Sequence, residues 1–399
     1  MKLAGVELRW VELQMRRPVG TAAGTHRDRP LALVRVVTES AQGWGECGAL
    51  ADGTLVDPPI GAVWTKLAGD AVARLFRATR ARGGHLPEAS RIATLFAGVP
   101  VDRMAAAALE MAVLDAELRS DGISLARRLN WAGALDAGAA GGAGKGAGLR
   151  VRAGAMVGIP PDREPRSLVD SVDEQVSRGF SRVRVKIEPG WDVRPLATVR
   201  REHPDLELQA DANGAYRLGS QGIDDAGRLA ALDDLALVCV EQPLPPGDLA
   251  AHAILAGRIA TPICLDESLG TNRRLADAIR YGACSVACLK PSRLGGVFAT
   301  RLAQESCRAS GVDAFVGGFF ESGLGRSANA ALATLPGFTL PGDLSAPADY
   351  LSADPFAYPV VEGGRVEVHD APGIAPEPDP AMLLACSDAA RTVWVPYTP

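Results

Sequence analysis

Five charged residues stand at the ends of successive apolar runs, spaced about every 25–30 residues. Lys186 closes "RVRVK", Asp211 "LELQAD", Glu241 "LALVCVE", Asp266 follows "TPICL", and Lys290 closes "CSVACLK". A charge that ends an apolar run is costly unless it is paired or bound to something. Each residue alone has an ordinary reading. Asp211, with Asn213 and Gly214, suits a turn; Asp266 suits a helix cap; Glu241 before Gln-Pro suits a loop. Together they point elsewhere. Three carboxylates brought into one small volume repel and raise each other's pKa values. A divalent cation resolves that conflict, and an all-oxygen set suits Mg2+, with Mn2+ as the alternative. A lysine beside a metal and a second cation has its pKa lowered and can take a proton near neutral pH. A metal on a substrate carboxylate stabilises the charge that builds there when the adjacent C–H is deprotonated.

The elements that must position these groups are legible from about residue 150. Apolar runs at 151–159, 182–187, 206–211, 235–241, 261–267, 284–290, 312–318 and 338–343 alternate with helical patterns such as "SLVDSVDEQVSRG" and "VFATRLAQESCRASG". Several of those patterns end on glycine, as helices often do. Eight strands alternating with helices predict a (β/α)8-type barrel, whose active site gathers at the C-terminal ends of the strands. An open doubly wound sheet is the alternative, but no glycine-rich phosphate loop follows the first strand. In "SRVRVKIEPGW" (181–191) the alternation is strand-like. As second strand of a barrel it turns Arg184 and Lys186 inward. Strands two and six face each other across a barrel, so Lys186 and Lys290 approach a ligand from opposite sides.

Residues 1–130 read as an α+β unit. "VELRWVELQM" and "LALVRVVTES" alternate like strands, and "GWGEC" closes a small antiparallel sheet. "VDRMAAAALEMAVLDAELRSDG" is an Ala-rich helix with a glycine stop at Gly122. Residues 131–149 are almost all Ala and Gly, a linker or insertion. "GGAGKG" there imitates a phosphate loop, but Gly146 follows Lys145 where Ser or Thr is required. Residues 150–345 form the barrel, and 346–399 pack back on the N-terminal unit. A net charge of −5 with no long Lys/Arg run argues against nucleic acid. No apolar run reaches the length of a membrane span, and the first residues are too mixed for a signal peptide. Seven scattered cysteines with no CxxC pair predict a reduced, cytoplasmic protein without a disulfide framework. The partner is a small-molecule carboxylate; a homo-oligomer is compatible with the sequence.

The motifs "VRVKIEPGWDV", "DANGAY", "EQPL", "TPICLDES", "KPSRLGG", "ESGLGRSANAALATLPGFTLPGD" and "GWGEC", in this order, resemble the enolase superfamily. Within it the chain is similar to the o-succinylbenzoate synthase / N-succinylamino acid racemase group. The resemblance implies a modified TIM barrel, seven β/α units plus a last strand, under an N-terminal α+β capping domain. It implies Mg2+ on Asp211, Glu241 and Asp266, Lys186 as base, Lys290 opposite, and chemistry through an enediolate. Asn213, Arg293 and Glu321 would support the site from behind, the loop 20–26 would close over the substrate, and Gly318, Phe319 and Phe320 would line its far wall. The implied reaction is dehydration of 2-succinyl-6-hydroxy-2,4-cyclohexadiene-1-carboxylate to o-succinylbenzoate, a step of menaquinone biosynthesis. The alternative is an N-succinylamino acid racemase or another proton-abstracting member. The chain departs from the group at Arg184, where a lysine is usual, and at Met156, where a small polar residue is common.

Overall fold

The computed structural model describes residues 1–21, 24–96, 98–131, 148–219 and 224–399. Three antiparallel strands come first: β1 (Leu3–Thr21), β2 (Gly24–Thr38) and β3 (Gln42–Cys47), with β2 in the middle of this set. Their apolar face lies on the helix Pro100–Asp121, which starts with a proline and ends at left-handed Gly122. Two glycines of "GWGEC" make the contact close. A Cβ on Gly43 would sit 2.2 Å from the Ala116 backbone nitrogen, and one on Gly45 2.0 Å from the Ala108 oxygen. The Ala-rich character of the helix is the other half of that fit, because larger side chains would hold the sheet away.

After a short β4 (Arg150–Arg152) come the barrel strands: β5 (Ala155–Val157), β6 (Arg182–Lys186), β7 (Glu207–Asp211), β8 (Val240–Glu241), β9 (Ile263–Leu265), β10 (Val286–Leu289) and β11 (Asp313–Val316). They pair in sequence order and all in parallel. Helices between them cover the outside, as such connections require. The last apolar run closes the ring. Thr339 N donates to Ala314 O and Asp343 N to Val316 O on one side. On the other, Gly342 N donates to Arg152 O and Gly154 N to Gly342 O. The barrel is therefore seven paired strands plus a short eighth segment, as the sequence predicts.

Register sets the level of the charged ends. Lys186 stands opposite Asp211, and Asp211 opposite Glu241. Beyond the barrel, β12 (Arg365–Glu367) pairs with β4, and β13 (Ser387–Pro396) pairs antiparallel with β1 as the outer strand of the N-terminal sheet. Among the described residues, no helix is long and apolar enough to cross a membrane. All seven cysteines are unbridged, and six are buried. The Ala/Gly-rich insertion, including "GGAGKG", lies outside the described residues except at its ends.

Candidate active site

β6 has no exposed face. Val183 and Val185 pack outward, while Arg182, Arg184 and Lys186 follow the other face into the barrel. Barrel interiors are usually filled with branched aliphatic side chains. Here three stacked cations need partners, and the neighbouring strands supply them. Arg182 donates to Gln209 (2.7 Å) and Asp343 (2.9 Å), and lies over the Phe315 ring. Arg184 donates to both Glu241 oxygens (3.1 and 3.0 Å) and pairs with Asp343 at 2.8 Å. Lys186 Nζ donates to Asp211 Oδ2 (2.7 Å) and Asn213 Oδ1 (2.6 Å). Asn213 holds that position with a positive φ, and its amide nitrogen donates to Glu267 at 2.9 Å.

Lys290 lies across the barrel. Its ammonium donates to Asp266 Oδ2 at 2.7 Å and sits 4.7 Å from the centre of the Phe319 ring. Arg293 donates to the other Asp266 oxygen, then reaches Asp57 of the N-terminal region at 2.6 Å. Its guanidinium also lies over Phe319. Burial disfavours the charged form of Lys290, but its anionic neighbours, Asp266 foremost, together outweigh this and raise its pKa. This differs from the lowering that a neighbouring metal cation would produce. For Asp266, burial acts upward, and Arg293 and Lys290 win, holding it below the usual carboxylate range.

The carboxylates crowd. Glu241 is pushed up to about 8, first by burial, against the pull of Arg184 and with Asp211 and Asp266 adding to the rise. Glu267 is raised by burial and then by the same two neighbours. Six carboxylates (Asp57, Asp211, Glu241, Asp266, Glu267 and Asp343) crowd around the cations Arg182, Arg184, Lys186, Lys290 and Arg293. Glu267 Oε2 is buried without a hydrogen-bond partner. Crowded carboxylates and an orphaned oxygen fit a hard divalent cation. Among the described residues, ligand atoms of Glu241, Asp266 and Cys288 lie within 4.8 Å of one another. Asp211 borders this group but is turned toward Lys186.

A cavity of about 80 Å³ separates the two lysines. Met156, Arg184, Lys186, Asp211, Asn213, Asp266, Lys290, Arg293, Gly318, Phe319 and Phe320 all line it. Glu321 does not: it turns into a buried cluster with Asn329 and Arg326. Ala22 and Ala23, at the tip of the loop expected to cover the substrate, lie outside the described residues. A different N-terminal loop, with Leu50, Thr54 and Leu55, lines the cavity. Sequence reasoning missed it, together with Asp57, Gln209, Glu267, Cys288 and Asp343. Asp343 obeys the rule used for the others, a charge ending an apolar run. Asp57 carries no such signal.

Residues 5–129 match the family of the mandelate racemase / muconate lactonizing enzyme N-terminal domain, and residues 167–382 the family described as enolase C-terminal domain-like. An N-succinylamino acid racemase of Amycolatopsis is 41% identical over 99% of this chain and 100% of its own. An o-succinylbenzoate synthase of Geobacillus kaustophilus is 35% identical over 94% and 93%. A solved enolase-superfamily structure from Listeria innocua superposes with a TM-score of 0.86 at 27% identity, covering 100% of both chains.

Proposed function

The chain belongs to the enolase superfamily, in its o-succinylbenzoate synthase / N-succinylamino acid racemase group, and we propose that it dehydrates 2-succinyl-6-hydroxy-2,4-cyclohexadiene-1-carboxylate to o-succinylbenzoate in the cytoplasm. The observation that carries this reading is the pair of lysines lining one cavity, walled by Met156, Leu50, Leu55, Phe319 and Phe320. An apolar, partly aromatic wall suits a ring-bearing substrate.

Lys186 takes the proton α to the carboxylate. Asp211 and Asn213 hold its amine in place and limit its rotamers. Lys290 presents a cation to the opposite face, held over the Phe319 ring. The C–O bond at the hydroxyl-bearing carbon then breaks. The leaving hydroxide takes up the proton that Lys186 removed and departs as water, which returns Lys186 to its free-base form, and the ring becomes aromatic. Asp211, Glu241 and Asp266 would hold Mg2+, which supplies positive charge to the substrate carboxylate.

Racemisation of an N-succinylamino acid is the second reading. The 41% identical relative favours it. So does the charged state of Lys290, which can return a proton to the face opposite Lys186. Both substrates carry a carboxylate and a succinyl arm, so one cavity serves either. The test supplies purified enzyme and Mg2+ with the cyclohexadiene substrate, and separately with N-succinylphenylglycine. Aromatisation is expected in the first tube. Its absence, with loss of optical rotation in the second, would leave only the racemase.

A further inference from the structure

The cavity between the lysines is too small for a whole substrate. It measures about 80 Å³, whereas a site that encloses a drug-sized ligand takes roughly 300–1,000 Å³. A second cavity, of about 1330 Å³, adjoins it. Met156, Arg184, Gly318 and Phe320 line both and form the passage between them. Phe320 stands there in the left-handed region, with φ 57°. Its carbonyl accepts from Arg29 Nε at 2.9 Å, and its ring meets Tyr350 edge-on at 5.5 Å. Strained backbone of this kind clusters at ligand sites.

The N-terminal hairpin gives the second cavity a basic wall. The register of β1 and β2 slips between the pairs Gln14–Asp28 and Val19–His26, so residues 15–18 bulge against Arg27 alone. The bulge is pinned to the C-terminal region. Arg16 N donates to Tyr350 O at 2.8 Å, and Arg16 Nε to Leu351 O at 2.9 Å. Arg17 and Arg27 both line the cavity, and among the described residues neither has a carboxylate partner. The other arginines of that wall are engaged: Arg178 with Asp349, Arg184 with Glu241 and Asp343, and Arg326 with Tyr350. Asp162 and Glu174, the cavity carboxylates that no arginine holds, lie on another element, just before and within the helix Pro165–Ser177.

We infer that the second cavity receives the acyl arm of the substrate and that Arg17 and Arg27 bind the carboxylate at the end of that arm. The inference rests on the proposed function and makes the two arginines its specificity-determining residues. In either reading the reacting carbon and its carboxylate stay between Lys186 and Lys290. The ring, or the amino-acid side chain, meets the apolar wall of Leu50, Leu55 and Phe319. The arm leaves through the passage past Met156 and Phe320. Its terminal carboxylate then meets two guanidinium groups on neighbouring strands, each with paired N–H donors that match two carboxylate oxygens. An arm ending in a methyl group leaves both arginines in water and gains nothing from them. The enzyme therefore selects substrates with two carboxylates, one at the reacting carbon and one at the end of the arm.

The experiment compares two ligands by calorimetry on the full-length protein with Mg2+. One is o-succinylbenzoate. The other is 2-butyrylbenzoate, which carries a methyl group in place of the terminal carboxylate. The wild type should bind the first at least about tenfold more tightly, the low end for hydrogen bonds to a charged group. The double variant Arg17→Gln, Arg27→Gln should lose that preference and bind 2-butyrylbenzoate as the wild type does. Arg301→Gln makes the same charge change on the helix Val297–Ala309, outside the cavity wall, and should keep the preference. With whichever succinyl substrate the enzyme turns over, the double variant should raise KM by about the same factor while kcat holds. A wild type without the preference overturns the inference, and so does a preference that survives the double variant. In both cases intact turnover leaves the proposed function standing. If neither ligand binds and neither succinyl substrate reacts, the proposed function fails and the inference falls with it.

Discussion

The two lysines face one cavity from differently built walls. Lys186 is held by Asp211 and Asn213, and Arg184 below it ties β6 to Glu241 and to Asp343 on the closing segment. Every one of those partners belongs to the barrel. Lys290 is held by Asp266 and lies on an aromatic ring, and Arg293 beside it is anchored to Asp57 in the N-terminal region. The barrel alone therefore fixes Lys186, whereas the position of Lys290 depends on how the N-terminal loop docks. Proton removal by Lys186 and the service of Lys290 are separable by mutation.

The largest effect should come from Lys186→Ala. It removes the proposed base, and both aromatisation and racemisation should fall by about 10³-fold or more, within the upper range of general-base catalysis. Measured kcat/KM near wild type would end the assignment of Lys186. Lys290→Arg sharpens the comparison. It keeps a cation over Phe319 but removes a group able to exchange protons at neutral pH. Racemisation should drop by about 10²-fold or more, while aromatisation keeps most of its rate. Equal losses in both reactions would mean that Lys290 does the same work in each.

A second contact between the N-terminal sheet and the barrel makes a pH prediction. Glu46 of "GWGEC" accepts from the Ser322 backbone nitrogen at 3.1 Å and from its hydroxyl, just after the Phe319–Glu321 stretch. Burial pushes its carboxyl up to about 7, although Arg29 and Ser322 pull the other way. The folded protein thus holds this proton at pH values where the unfolded chain has lost it. Stability from this group is complete below about pH 4.5 and is lost as pH rises toward 7, after which the loss is constant. A Glu46→Gln protein lacks that slope. Across this window the wild type should lose about 3 kcal/mol relative to the variant, as linkage for a shift of this size requires. Urea melts of both proteins at pH 5 and pH 8 measure it, and parallel curves would refute it.

Much of the barrel wall was legible because each strand is an apolar run and five consecutive ones end at a charge. The inward turn of Arg184 and Lys186 followed from period-two alternation once β6 was placed second. The partners of Arg184 did not follow. Asp343 ends the run read as the last strand, but the sequence does not show that its carboxylate meets Arg184 across the closing seam. Cys288 reads as a small hydrophobe, since sequence cannot show that its sulfur meets two carboxylates. Asp57 reads as a loop residue, because its meaning lies in Arg293, far along the chain.

That last pair gives the smallest effect and the most direct test of the comparison. Asp57 takes hydrogen bonds from both Nε and Nη2 of Arg293 and another, at 2.8 Å, from Thr54 Oγ1. The Arg293 cation outweighs burial and holds Asp57 below the usual carboxylate range. Asp57→Asn keeps the size and the Thr54 contact but removes the charge. Arg293 then has Asp266 as its remaining carboxylate and competes there with Lys290. Displacing a reacting ammonium by a fraction of an ångström should slow the Lys290 face about tenfold. Lys186, whose own hydrogen bonds go to Asp211 and Asn213, should stay near wild type. Exchange of the α-proton in D2O, run on each enantiomer of N-succinylphenylglycine, reads the two faces separately. A selective loss for one enantiomer means that the N-terminal loop sets Lys290 alone; equal losses mean that the loop acts on the whole cavity and the two walls are not independent.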